Sequence, residues 1–233
     1  MRPVLLIMTK DIGDLLKENR MLMMFAITAF ILLSLPYDLV DNIGRSQPDL
    51  LVQALDMFMI YFLLMGILFI SYAAVYRVFY REKNSGTLSS LLASPLTIRQ
   101  IWLGKSLAVA VTGYLFSLVL AVAFVLLVNY TTGLSVFPSW GAVAVLLLAN
   151  PLLSFLFVSL LGILYLLIKD EMKARIGFFI LIFGGVYLIK AVHMPSASQI
   201  VPYLLVFILV LLLADGLLLR LLTNERVVLS MDR

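Results

Sequence analysis

Between Lys105 and Lys169 the sequence carries no Asp, Glu, Lys or Arg. About 20 apolar residues cross a bilayer core of about 30 Å, so this run is too long for one crossing and fits two joined by a turn. The turn is the segment NYTTGLSVFPS, from Asn129 to Ser139, which gathers Asn, Gly, Pro and Ser. It separates spans at about 106–128 and 140–168. The whole chain agrees in character: 63% of its 233 residues are hydrophobic, 13% are charged, and the mean hydropathy is +1.10. Ordinary soluble domains carry about 25% charged residues. The expected fold class is all-α integral membrane.

Further apolar runs place spans at about 21–37, 51–76, 176–190 and 200–220, giving six. The first is closed by Pro36, Asp38 and Asp41. The fifth has fourteen residues between Arg175 and Lys190, about 21 Å of helix, and spans only if those two side chains snorkel as membrane anchors or if it dips into the outer leaflet. Residues 1–20 read as an interfacial amphipathic helix: Leu5, Met8, Ile12, Leu15 and Leu16 recur at helical spacing, with Lys10, Asp11, Asp14, Lys17 and Glu18 in the other positions. Fifteen of the 17 Lys and Arg residues fall in 1–20, 77–105, 169–175 and 220–233, leaving only Arg45 and Lys190 for the other side. The positive-inside rule then puts both termini and the 77–105 loop in the cytoplasm. No repeat divides the chain, so residues 1–233 read as one membrane domain.

Several chemistries are excluded. Cysteine is absent, and the single His193 cannot supply the three or four ligands of a usual metal site. No Ser/His or paired-Asp constellation lies at a shared depth, which argues against an intramembrane enzyme. The basic balance follows from topology and implies no nucleic acid.

The longest mixed polar stretch is REKNSGTLSSLLASPLTIRQIWLGKS, residues 81–106. Its last letters imitate a phosphate loop, but that motif needs a second glycine where Arg99 stands and should open a soluble helix. Lys105 is expected instead to anchor the third span by snorkelling to the interface. Within the loop, Ser85 and Gly86 start a short helix, Leu88, Leu91 and Leu92 form one stripe, and Pro95 stops it. Two turns are not stable alone, so the leucines must rest on the protein's own spans or fit a groove on a cytoplasmic partner.

The run from Arg81 and Glu82 through Gly86, Thr87, Leu88, Leu91, Leu92, Ser94 and Pro95 to Gly104 and Lys105 resembles the first cytoplasmic loop of type-2 ABC exporter permeases. That pattern is an acid, Gly-Thr-Leu, a leucine pair, Ser-Pro, then Gly-Lys at the next span. The resemblance implies a coupling helix over Glu82 to Pro95 seated in the cleft of a separate ABC ATPase. Glu82 would place a charge at the membrane boundary, Gly86 and Thr87 would start the helix, and the three leucines would dock. It implies ATP and Mg on the partner with no cofactor on this chain, and a second permease copy or paralogue in the bilayer. The connection at 190–199 is shorter than the paired re-entrant helices many members carry.

Two acids fall within spans. Asp56 is expected at the outer interface; Asp215 is expected near the inner boundary, with Lys105 or Arg220 as candidate partner. Gly113, Gly162, Gly184 and Gly185 read as packing points between helices. The function expected is the permease subunit of an ATP-driven exporter in the cell membrane, moving an amphipathic or lipid-like cargo along aromatic and aliphatic walls. The alternatives are a haem-export-like permease of cytochrome maturation and a scaffold that binds a cytoplasmic partner without transport.

Overall fold

The structure is a computed structural model that describes residues 2–43, 48–170, 172–173, 176 and 197–230. The fifth expected span therefore lies outside the described residues, as do Arg175, Lys190, His193, Gly184 and Gly185. Among the described residues there is no strand. The chain is an all-α membrane protein.

Helix α1 (Arg2–Lys17) precedes α2 (Asn19–Ile43). Helix α3 (residues 48–84) runs on without a break through two π-helical stretches, Phe58–Phe62 and Tyr76–Arg81. The short α4 (Thr87–Leu92) follows, then α5 (Ile98–Thr132), α6 (Trp140–Leu167), α7 (Ala197–Leu221) and α8 (Asn224–Leu229). By length and composition Ile98–Thr132, Trp140–Leu167 and Pro202–Leu221 can cross a membrane, and Asn19–Ser34 is a shorter apolar helix.

Four boundaries differ from expectation, one of them the end of α5, which runs to Thr132 and not to about 128. Helix α2 does not stop at Pro36 but continues to Ile43. Helix α3 passes the expected end near residue 76 and carries Arg81 and Glu82 on its last turns. Helix α5 begins at Ile98, so Lys105 lies two turns inside it. At Pro36, residue 76 and Lys105 the charge or proline in the sequence does not mark the end of the helix, which continues past it. At 1.5 Å per residue α3 is about 55 Å long and α5 about 52 Å, well beyond the about 30 Å of a bilayer core.

Local chemistry sets the ends. Thr97 and Gln100 form a reciprocal capping box at the start of α5: the Gln100 amide donates to Thr97 Oγ1 at 3.3 Å and the Thr97 amide to Gln100 Oε1 at 3.0 Å. Gly133, at φ 69°, ends the helix in the left-handed conformation that glycine tolerates best. Ser139 caps α6, accepting from the Ala142 amide at 3.3 Å. Inside α6, Pro151 has no N–H to give and crowds the turn before it, where the helix widens to π over Val145–Ala149.

Helix α5 is the centre, packed by α1, α2, α3 and α6, while α7 and α8 lie on α6. One apolar cluster fills one half of the bundle, including the stacked Phe58 and Phe124. The other gathers Leu15, Phe79, Leu88, Trp102, Tyr165 and Val227, so α1, α4 and α8 all bury side chains at one end of the bundle. Glycine makes the close approaches: a Cβ on Gly113 would lie 3.1 Å from Ser71 Oγ, and one on Gly162 only 2.8 Å from the Phe79 ring. Both are packing points, as their place in the sequence suggests.

Because Phe79 is fully buried, Gly162→Val should destabilise the chain by about 1–3 kcal/mol, the range for overpacking. Thermal unfolding in detergent should show a lower midpoint, partly restored by adding Phe79→Leu.

Candidate functional site

Lys105 sits where α1, the end of α3 and the start of α5 meet. Its side chain is 1% exposed. Nζ donates to Glu82 Oε2 at 2.7 Å and to Asp11 Oδ2 at 3.2 Å. The expected snorkelling anchor is instead the ammonium of a buried clamp, because two carboxylates inside the protein meet its charge in place of headgroups or water. Gly104 makes the clamp possible: a Cβ there would stand 3.0 Å from Ile7 Cβ and 3.0 Å from the Val4 carbonyl oxygen. Only with that space can α1 cross so near α5, and Asp11, one turn beyond Ile7 on the same face, then reaches Lys105.

Asp11 was expected on the polar face of α1, yet it is 3% exposed. The face turned to the bundle contains Ile7, Asp11 and Leu15, while Leu5, Leu6 and Leu16 stay exposed. Burial holds the Asp11 carboxyl above its ordinary value; Lys105 pulls it down and the Glu82 charge pushes it up.

Lys83 points the other way. It is buried, and Nζ donates to the carbonyls of Tyr165, Leu166 and Ile168 at 3.2, 3.2 and 3.0 Å. These oxygens lie at the C-terminal end of α6, where carbonyls lack intrahelical donors and a cation is favoured. Burial lowers the ammonium to about 8, which leaves it charged at neutral pH. Ser230, just after α8, donates from Oγ to the same Leu166 carbonyl at 2.7 Å. Glu18, between α1 and α2, pairs with Arg77 and stands 3.6 Å from Arg81.

Helix α4 follows five residues after Glu82 of this clamp. Gly86, at φ 78°, turns the chain from α3 into it, with the Ser85 and Thr87 hydroxyls 3.0 Å apart. Leu88 is 1% exposed, in the core cluster that also holds Phe79 and Tyr165, and Leu91 and Leu92 are half-buried against the same core. Of the two supports considered for this stripe, the protein's own spans take Leu88. The outward face is Thr87, Ser89, Ser90, Ala93 and Pro95. Ser94 is half-buried, its Oγ donating to the Leu91 carbonyl at 2.5 Å.

The acids in the spans are placed apart from this cluster. Asp56 Oδ1 accepts from the Ser139 amide at 2.7 Å and ties α3 to the start of α6. Asp215 is 5% exposed, and its partner is neither Lys105 nor Arg220: Ser159 Oγ donates to its Oδ2 at 2.5 Å. The Trp102 indole N–H donates to the Ser159 carbonyl at 3.2 Å, so α5, α6 and α7 are joined at one level. Among the described residues no group of three His, Cys, Asp or Glu could hold a metal ion.

Sequence reasoning overlooked Asp11 and Lys83. Asp11 left a trace, one acid at i+4 from Ile7 and i−4 from Leu15 in an otherwise apolar stripe. Lys83 left none, since its partners are backbone carbonyls more than eighty positions away.

A family model described as ABC-2 family transporter protein matches residues 16–185. Among curated proteins, none matches the chain.

Replacing Lys105 by Met leaves Asp11 buried without its cation and should cost about 3 kcal/mol or more in denaturant or thermal unfolding. Asp11 then binds its proton in the folded state still more tightly than at the ordinary 3.8 of the unfolded chain, so stability falls as pH rises through the folded value. The variant should be more stable at about pH 5 than at about pH 8, and adding Asp11→Leu should remove that dependence. Lys83→Met should cost about 1–3 kcal/mol, the penalty for leaving buried carbonyls unsatisfied.

Proposed function

Because the chain belongs to the ABC-2 transporter family, and so is a membrane permease of an ABC transporter and not itself catalytic, we propose that residues 81–95 receive the motion of a separate ABC ATPase and pass it to the bundle. The observation that carries this reading is the clamp at Lys105, which joins three helices and whose Glu82 stands five residues before α4 in the chain. Only Ser85 and Gly86 separate α4 from α3, and Leu88 is set into the core shared by α3, α5 and α6. A force on α4 is therefore not absorbed by a slack loop. Glu82 carries it to α5 and α1 through Lys105, and Lys83 carries it to α6.

In this reading ATP and Mg bind the partner, and closure of two ATPase copies displaces α4 in each of two permease subunits, identical or paralogous. The helices then rock as bodies between two arrangements, a population shift driven by a ligand bound elsewhere. The chain sits in the cell membrane with α1, α4 and α8 toward the cytoplasm, the side to which its Lys and Arg residues assign them. The cargo is amphipathic or lipid-like and is exported, since the spans offer aliphatic and aromatic surfaces with few polar groups. The exposed Ser and Thr of α4, together with the accessible edges of Leu91 and Leu92, form the face that meets the ATPase.

The test is ATP turnover by the purified permease–ATPase complex. Leu91→Asp and Ser90→Trp, at the outer face of α4, should weaken assembly or cut transport-linked hydrolysis by about tenfold, a change of about 1.4 kcal/mol. Glu82→Ala should leave assembly intact and uncouple hydrolysis from transport. If complex formation, hydrolysis and transport are all unchanged in the three variants, this face is not the coupling surface.

A further inference from the structure

A cleft of about 600 Å³ lies between the start of α2 and the second half of α3. It is graded from end to end. On α3, Tyr72 and Ala73 line one part, and Arg77 and Arg81 follow at one and two turns' distance along the same helix. On α2, Met24 and Met21 face it, and Arg20 follows at the helix start. The two helices run in opposite directions, so both place their arginines at the same end. That end is the one where α1 and α4 gather; Met24, Tyr72 and Ala73 lie about 6 Å or more deeper along the helix axes, with Met21 and Tyr76 between.

The basic end is under-neutralised. Glu18, the one acid lining the cleft, is engaged by Arg77 and stands 3.6 Å from Arg81. Asp14 lies within electrostatic reach of Arg77 but does not line the cleft. Arg81 keeps a side chain 64% exposed, and Arg20 is exposed with no ion pair among the described residues. Glu82 and Asp11 also act on Arg77 from outside the cleft, but both are bound to Lys105, so the lining itself sets three guanidinium groups against the Glu18 carboxylate. Beside the cleft, the neighbouring α2 side chains Leu22 and Met23 are exposed and apolar, a surface suited to contact with acyl chains.

We propose that this cleft binds one anionic phospholipid, with its phosphate held by Arg20 and Arg81 beside the Arg77–Glu18 pair and the start of an acyl chain against Met24, Tyr72 and Ala73. Guanidinium is the side chain best shaped for phosphate, presenting paired N–H donors to its oxygens. A soluble phosphate would use only half the cleft. A neutral apolar molecule would leave the arginines unmatched. The inference depends on the chain lying in a membrane and not on coupling through α4.

The test is native mass spectrometry of the isolated full chain, without its ATPase, released from a neutral detergent and titrated with dioleoyl phosphatidylglycerol. A defined lipid adduct is expected, bound more tightly than the phosphatidylcholine adduct. Arg20→Gln and Arg81→Gln should each weaken it about fivefold, the attraction of one basic side chain near an anionic surface. Both residues are exposed, so the variants should keep the parent's thermal midpoint, and Arg226→Gln on α8 should bind as the parent does. Unchanged phosphatidylglycerol affinity in both variants, or equal binding of phosphatidylcholine, would overturn the proposal. Displacement of the lipid by glycerol phosphate at comparable concentration would assign the cleft to soluble phosphates and overturn the lipid assignment.

Discussion

The ammonium of Lys105, shared between Asp11 and Glu82, is the interaction on which the end of the bundle holding α1 and α4 depends. In a membrane, apolar surface gains little by meeting apolar surface, so helix positions are set by close packing and by polar contacts that must be made. An ion held away from water costs several kcal/mol unless its partners are well placed. Lys105 therefore admits few arrangements of α1, α3 and α5, and Gly104 removes the one steric obstacle to the arrangement found. The adjacent Gly-Lys pair acts as a unit: the first residue lets a helix approach, and the second gives that helix a charge to meet.

Glu82 and Lys83 extend the same principle sideways. Successive residues on a helix point about 100° apart, so one turn of α3 can hold α5 on one flank and α6 on the other. The acid meets a side-chain cation, and the lysine meets the bare carbonyls of a helix end. The π-helical stretch Tyr76–Arg81 lies just before this turn. Such stretches re-aim the residues that follow by adding one to the turn. The tail of α3 is thus fixed against two neighbours before the chain turns at Gly86 into α4.

Legibility in the sequence followed the kind of signal each feature left. Helix α6 was read to within a residue because a capping serine and a turn mark its start and Lys169 its end. The α5 C-terminus was placed at about 128, four residues short, because the turn was read from Asn129 while the helix runs on to Thr132 and breaks at Gly133. The start of α5 was misplaced because Arg99 and Lys105 look like a solvated loop, and only the fold shows that Lys105 has carboxylates around it. Pro36 suggested a stop that α2 overrides, and the partner of Asp215 was sought among cations when a hydroxyl on α6 supplied it. Of the candidate site, the order Glu82, Gly86, Leu88 and Lys105 was legible as a pattern. Its physical content was not: Leu88 faces inward, Lys105 is a clamp, and half of that clamp comes from Asp11, which the sequence pattern had assigned to the polar face of α1.

The Asp11–Lys105 contact spans 94 positions in the chain, which fixes an order of events during synthesis. At about 5–20 residues per second, α1 emerges roughly 5–20 s before its cation does. Over that interval Asp11 has no buried partner, and a lone carboxylate is driven toward water at the membrane surface. Together with Lys10, Asp14 and Lys17 on the same helix, that carboxylate disfavours entry of α1 into the bilayer as a span, and the contact that holds α1 to the bundle can form only once α5 has been made.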